Sequence, residues 1–407
     1  MADIRIRMYR TGFGDCFLLS FGPSASARHI LIDFGAHTHG EIGTMDAVMN
    51  DIESTTGRRI DLIVATHLHR DHISGFGKFA ARFAAFTIGE VWRPWMDKPG
   101  DPDADELNRK HLALYAALER HFAAAPGAGV YAATARDALV NLTGNEKATS
   151  ELGRAFGTGA KVEYLRAGDS RSTVAGITGL SAEVLGPPAD KKFLSRMNPP
   201  SDQRFLAPPG EPSTDVHPFP GYELKEAEQD FTQAVTEGQP KVPDDDLPLL
   251  VENATAPVDR LALFLDNARN NTSLVILFRY HGKALLFPGD AQWGNWQSWI
   301  GTDMARQLLA EVDFIKLSHH GSENATPVDV VHALRANELR AMVSTQVVPF
   351  PTIPRVPLLQ AVQAHCVDDV VIRSDWVPVA NAPAAPPPVP GLPAGFIAGP
   401  VWIDCFL

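Results

Sequence analysis

The six residues His67-Leu68-His69-Arg70-Asp71-His72 constrain this chain more than any others, because they directly follow the apolar stretch Leu62-Ile63-Val64-Ala65-Thr66. That stretch carries no polar face and reads as a buried strand. His67 and His69 lie two apart, so in extended chain their rings point the same way. Asp71 and His72 follow within one turn, where Ser74 and Gly75 are expected to loosen the chain before a helix over 75–85. Groups of this kind make poor packing material at the end of a buried strand. Buried imidazoles leave nitrogens unpaired, and protonated ones repel each other. A divalent cation removes both problems.

Composition narrows the class. Of 407 residues, 45% are hydrophobic and 21% charged, the balance of a soluble globular chain with ample core. The formal net charge of -12 argues against a surface that attracts nucleic acid or anionic membrane in general, though not against a local basic groove. The three cysteines, Cys16, Cys366 and Cys405, are far apart among apolar neighbours and read as reduced, buried thiols. The opening residues alternate charge and lack an apolar leader core, and no apolar run approaches about 18 residues. A cytoplasmic protein without a membrane span is expected.

In chain order, strands are expected over 3–8, 16–21 and 29–35, then a helix over 41–53, then the strand ending in the histidine run. A strand over 88–92 follows. Residues 94–260 read as an irregular insertion or lid, containing a helix over 106–125 and short strands at 161–165 and 181–185. Order returns with strands at 274–280 and 284–287 joined by a turn at His281-Gly282-Lys283, then Pro288-Gly289-Asp290. A strand at 313–317 leads into Ser318-His319-His320-Gly321-Ser322. Helices are expected around 293–299, 304–309, 328–334 and 357–365, with a strand at 341–344. Residues 376–407 form a Pro-rich C-terminal extension, in which 401–406 returns as an edge strand.

The run His67–His72 resembles the signature of the metallo-β-lactamase fold superfamily of metallohydrolases. Gly12-Phe13-Gly14-Asp15, Asn270-Asn271-Thr272-Ser273 and His319-His320-Gly321-Ser322 are further similar to its ComEC-like hydrolase branch. The resemblance covers about residues 3–93 and 261–365. It implies an α+β fold, a four-layer αββα sandwich with a large insertion, built as one domain over 1–407. It also implies two divalent metal ions, Zn²⁺ first and Mn²⁺ as the other candidate. His67, His69, Asp71, His72, Asp290 and His320 would be the ligands, with Asp290 bridging. His320 is preferred over His319 because it directly precedes the glycine, and His319 would then meet substrate as a phosphate contact or proton donor. Asp71 would orient the nucleophile or take its proton.

A further histidine common in the superfamily is replaced by Asn270 and Asn271, candidates for metal or substrate contact. Asn offers only a neutral carbonyl oxygen, so the first metal should bind less tightly. His111, His121 and His217 are the other residues that could fill that place. Asp15 and Asp33 would support the cleft, or else cap their own turns. Lys316 is a candidate to neutralise a leaving oxygen, and Arg93, Lys98, Arg109 and Lys110 to line a basic channel. The resemblance tilts the substrate to phosphodiesters, a single-stranded nucleic acid or a small molecule such as a nucleotide. The alternatives are a lactone, amide or thioester hydrolase, and a non-catalytic binding module of the same fold. An oxidoreductase of the flavodiiron type would call for acidic replacements in the motif, and none is present.

Overall fold

Alternation along the strands decides the layers. In β1 (Ile4–Tyr9), Ile4, Ile6 and Met8 pack in one apolar cluster with Ile276, Phe278, Leu285 and Phe314 from the other half of the chain. Tyr9 turns the opposite way, into a second cluster with Leu18, Leu31, Val48, Met49 and Ile52. The same division recurs in the second half. Leu285 and Phe287 face the first cluster, whereas Ala284 and Leu286 join Trp296, Leu309, Val330 and Leu358 in a third. Three apolar interfaces between successive layers make a helix–sheet–sheet–helix sandwich. This is the α+β, four-layer αββα architecture expected. The computed structural model describes residues 3–37, 43–109, 145–194, 196, 199–205, 269–322, 324–346, 353–375 and 392–407.

The first sheet contains β1, β2 (Phe17–Phe21), β3 (Arg28–Ile32), β4 (Arg59–Val64), β5 (Thr87–Pro94), β6 (Lys161–Leu165), β14 (Phe396–Ala398) and β15 (Trp402–Phe406). Its order is β14-β15-β1-β2-β3-β4-β5-β6. The second contains β7 (Ser170–Arg171), β8 (Leu180–Gly186), β9 (Val275–Tyr280), β10 (Lys283–Phe287), β11 (Val312–Lys316), β12 (Leu339–Val343) and β13 (Cys366–Arg373). It runs β13-β12-β11-β10-β9-β8-β7. In each sheet one half is antiparallel and the other parallel: β3 to β6 in the first, β10 to β13 in the second. The parallel strands all end on the same rim, and that rim carries the histidine and carboxylate segments.

Several elements differ from the sequence reading. The helix after the histidine run, α2 (Arg70–Lys78), starts inside the run, so Asp71 and His72 lie in its first turn. An acidic residue there suits the helix dipole. Ser74 and Gly75 do not loosen the chain: Gly75 is helical, and a Cβ on it would meet the Phe34 ring at 2.5 Å. Residues 94–260 are not irregular throughout: the strands expected at 161–165 and 181–185 are β6 and β8, and β6 extends the first sheet while β7 and β8 extend the second. Likewise 402–406 is not an edge strand, because β15 lies between β14 and β1. Strand β13 had no sequence signal; Asp369 (φ 51) interrupts its apolar pattern beside a register shift.

The turn between β9 and β10 is a two-residue hairpin, His281 (φ 46) and Gly282 (φ 80), the positive-φ pair that matches strand twist, and Lys283, read as part of the turn, opens β10. The three cysteines are free and buried. No described helix is long and apolar enough to cross a membrane. Helix α1 (Met45–Thr56) begins with Thr44 accepting from the Ala47 amide at 3.2 Å. Lys110, His111, His121, His217 and most of the helix expected over 106–125 lie outside the described residues.

Candidate metal centre

Five segments meet at the rim. The β1–β2 loop brings Asp15, the end of β3 brings Asp33, and the chain after β4 brings His67 to His72. Opposite them, the chains after β10 and β11 bring Asp290 and His320. Close backbone approach holds the first three loops together. The Asp15 amide donates to Asp71 O (2.9 Å), Phe34 to His72 O (2.7 Å) and Gly35 to Asp15 O (3.0 Å). A Cβ on Gly35 would lie 2.2 Å from the Asp71 carbonyl carbon, so only glycine fits there.

Asp71, His72, Asp290 and His320 each present a ligand atom, and those atoms lie within 4.8 Å of one another, all buried. His72 Nε2 is 3.0 Å from Asp290 Oδ2 and 3.8 Å from Asp71 Oδ2. His320 Nε2 is 3.2 Å from Asp71 Oδ2 and 3.5 Å from Asp290 Oδ2. The far nitrogens of both rings are anchored. His72 Nδ1 donates to Asp33 Oδ2 (2.8 Å) and His320 Nδ1 to the Ser344 carbonyl (2.9 Å). That arrangement sets each tautomer with Nε2 turned into the cluster, as in histidines that ligate metals. Asp33 is itself held by the Thr66 amide (2.8 Å) and hydroxyl (2.7 Å).

Beside this group, His67 Nε2 and His69 Nδ1 converge to 3.0 Å, and the His67 and His72 rings lie 4.1 Å apart. Burial, aided by the charge of His72, pushes His67 well below its ordinary pKa. Burial likewise takes His69 down to about 3, against the pull of Asp71. Both are therefore neutral, the form that ligates. Burial also opposes charge on His72, but Asp290, Asp71, Asp33 and Asp15 outweigh it and raise its pKa well above the ordinary value. For Asp290 burial is overcome by His72, Lys316 and His320, which hold its carboxyl well below the usual range.

The donor set fits divalent cations. Asp15, Asp33, Asp71 and Asp290 are each at most 4% exposed, and the Lys316 ammonium pairs with two of them, Asp15 and Asp290. With His72 and His320 as neutral ligands, the four carboxylates and one ammonium leave three negative charges, which divalent cations would neutralise; otherwise the carboxylates draw protons onto both histidines, whose pKa values they raise. Asn270 is 1% exposed, and its Oδ1 has no hydrogen-bond partner among the described residues.

His319 stands apart from the carboxylate cluster. Asn270 Nδ2 donates to His319 Nε2 (3.3 Å), and His319 Nδ1 donates to Ser322 Oγ (2.9 Å), which donates to Asn324 Oδ1 (2.8 Å). The ring is half-buried, and burial lowers its pKa to about 4. His319 (φ 43) and His320 (φ 55) are both left-handed, strain that sends the two rings in different directions. Asn271 does not reach the cluster with its side chain. Its Nδ2 donates to Leu194 O and Arg196 O, and its Oδ1 accepts from the Gln292 and Asn295 amides.

Lys316 is not placed to meet a leaving group. It is 1% exposed, and its Nζ is spent on Gly289 O (2.8 Å), Asp290 Oδ1 (3.0 Å) and Asp15. Arg93 is buried against Asp97 (3.2 Å), and Lys98 is exposed near Asp101, so neither lines a channel to the cluster. Sequence reasoning missed Thr66, Ser273 and Ser344, which hold Asp33, the Asp290 amide and His320. Thr66, adjacent to the histidine run, was the one with a signal.

Two mixed sheets between helices, with a buried histidine–carboxylate group on the rim of the parallel strands, define an αββα sandwich with a candidate centre for divalent cations. The family model of the metallo-beta-lactamase superfamily matches residues 9–130, which include β2 to β5 and the whole His67–His72 run. That similarity, with the buried donor group, suggests a metal-dependent hydrolase. No curated protein matches the chain significantly.

Proposed function

We propose that the chain is a binuclear metal-dependent hydrolase acting on phosphodiester bonds of single-stranded nucleic acid or a nucleotide. The convergence of Asp71, His72, Asp290 and His320 at one buried point carries this reading. In it these four would hold one divalent ion, Zn²⁺ or Mn²⁺, and Asp290 with His67, His69 and the orphaned Asn270 oxygen would serve a second. Such ions activate water near neutral pH and clamp the oxygens of the reacting centre. The second place has only neutral donors besides Asp290, so it is the weaker of the two.

The protein's part is orientation. Asp33 and Ser344 keep the His72 and His320 nitrogens turned inward. Asp71 serves as the group that orients the attacking water or takes its proton. His319, neutral and half-buried on the rim, serves as a substrate contact. A phosphodiester is favoured by Arg269, half-buried on the adjoining loop, whose Nη1 donates to Asn108 Oδ1 (3.2 Å) and whose charge reaches His69. A second reading, hydrolysis of a small lactone or thioester, is favoured by the apolar cluster of Trp95, Met96, Ala104 and Leu194 beside the same loop.

The test is metal content by elemental analysis together with hydrolysis of bis(p-nitrophenyl) phosphate, for the wild type and Asp290→Ala. We expect two metals per chain, and cleavage falling by at least about 100-fold in the variant. Bound metal with cleavage of lactones but not of phosphodiesters would replace this reading with the second. A chain that binds no divalent metal would be no metallohydrolase.

A further inference from the structure

Lys316 is an anomaly of pattern. It shares the inward face of β11 with Phe314, which lies in the core between the sheets, yet it is charged and 1% exposed. A buried lysine survives only where acceptors meet all its protons and a counter-charge is at hand. Lys316 has both: Gly289 O and Asp290 Oδ1 from its own sheet, and Asp15 from the loop of the other. It thus ties the two sheets together beneath the cluster and divides the Asp290 carboxylate. Oδ1 is held by the ammonium, while Oδ2 alone faces His72 Nε2 and His320 Nε2.

We infer that Lys316 is a positioning residue that confines Asp290 to a single ligand oxygen, Oδ2. The inference rests on the metal-centre reading above and specifies how this chain meets its metals. For Asp290 to offer both oxygens, the carboxylate must rotate away from Nζ. The buried ammonium would then lose one of three acceptors, and a charged hydrogen bond left unmade in such a place is costly. The backbone opposes rotation as well. Gly289 is left-handed (φ 56) with Thr66 and Ser273 within 3.1 Å of where a Cβ would stand, and the Asp290 amide donates to Ser273 Oγ (3.1 Å).

The experiment is a crystal structure of the wild type loaded with Zn²⁺, joined to visible absorption of the Co²⁺-loaded wild type and Lys316→Met. In the wild type Asp290 Oδ1 should stay within hydrogen-bond distance of Lys316 Nζ, with Oδ2 alone on metal. In Lys316→Met, which keeps the length and loses the charge, Oδ1 is free to join the coordination shell. The Co²⁺ bands should then weaken by about half or more as the ligand number rises. Wild-type Asp290 binding through both oxygens, or a fully loaded variant with an unchanged Co²⁺ spectrum, overturns the inference. If the variant does not fold, the Zn²⁺ structure alone decides. Failure of the wild type to take up either ion is a different result: it sinks the metal-centre reading, and this inference with it.

Discussion

At the scale of residues, the same side-chain types play separate parts according to what surrounds them. His67, His69, His72 and His320 face one another at the rim, whereas His29 is a histidine of the fold. It is 6% exposed on β3, with its amide donating to Asp61 Oδ2 (2.8 Å) and Nδ1 3.1 Å from Ser20 Oγ. Burial, then the charge of Arg5, lowers its pKa from 6.5 to about 4. In the unfolded chain it titrates near its ordinary value. Between the two values the unfolded state binds more protons, so stability rises with pH across this window and is lost as pH falls from about 6.5 to about 4. A shift of this size corresponds to roughly 3 kcal/mol at the acid end. Urea unfolding of the wild type and His29→Gln at pH 7.5 and 5 should show the variant losing about 2 kcal/mol less on acidification. Equal losses in both proteins would mean that His29 does not carry the dependence. The part played by Asp33 was half legible: Asp-x-Gly after a strand marked it for the cleft or for a turn, and the bond to His72 Nδ1 places it in the cleft.

At the scale of elements, the histidine run works because α2 begins within it. Its first turn carries Asp71 and His72 inward, while Ile73 and Phe76 pack against Phe34 and Phe83. The approach of α2 to the end of β3 depends on Gly35, where any side chain would run into the Asp71 backbone. Gly35→Ala should cost about 3 kcal/mol or more of stability and weaken metal binding, because helix and ligands must move together. Gly57 provides the contrast. It ends α1 at φ 57 with nothing within 4 Å of its would-be Cβ, so Gly57→Ala should cost only about 1–2 kcal/mol of backbone strain. Thermal unfolding and Zn²⁺ titration of the pair check this. Unaltered Zn²⁺ affinity in Gly35→Ala would show that the close approach does not position the ligands. The sequence marked glycines as turns throughout, since a one-dimensional pattern cannot tell a glycine needed for its φ from one needed for its lack of a side chain.

At the scale of the whole molecule, the centre lies on the seam between the sheets, with Asp71 and His72 from one and Asp290 and His320 from the other. A cation held there clamps the two sheets, so metal and stability are linked. At a free metal concentration of 100 Kd the folded state gains about 2.7 kcal/mol. Removing metal with a chelator should therefore lower Tm by several degrees in the wild type, and by much less in Asp290→Ala, as read by differential scanning calorimetry. An equal shift in both would place the bound metal elsewhere. From the chain alone, the strand and helix periods and the candidate ligand segments were legible, because apolar periodicity and ligand spacing are local properties, and the sandwich class followed from the resemblance those segments carry. Only the tertiary structure decided which segments share a sheet. It joined β6 to the first sheet and β7 and β8 to the second, buried β15 between β14 and β1, and turned His320 toward Asp71 while leaving His319 beside Asn270. It also put Lys316 under Asp290 and Asp15. Those outcomes depend on partners well separated along the chain, 26 residues for Lys316 and Asp290 and 249 for His320 and Asp71, whose pairing energies have no trace in the local sequence.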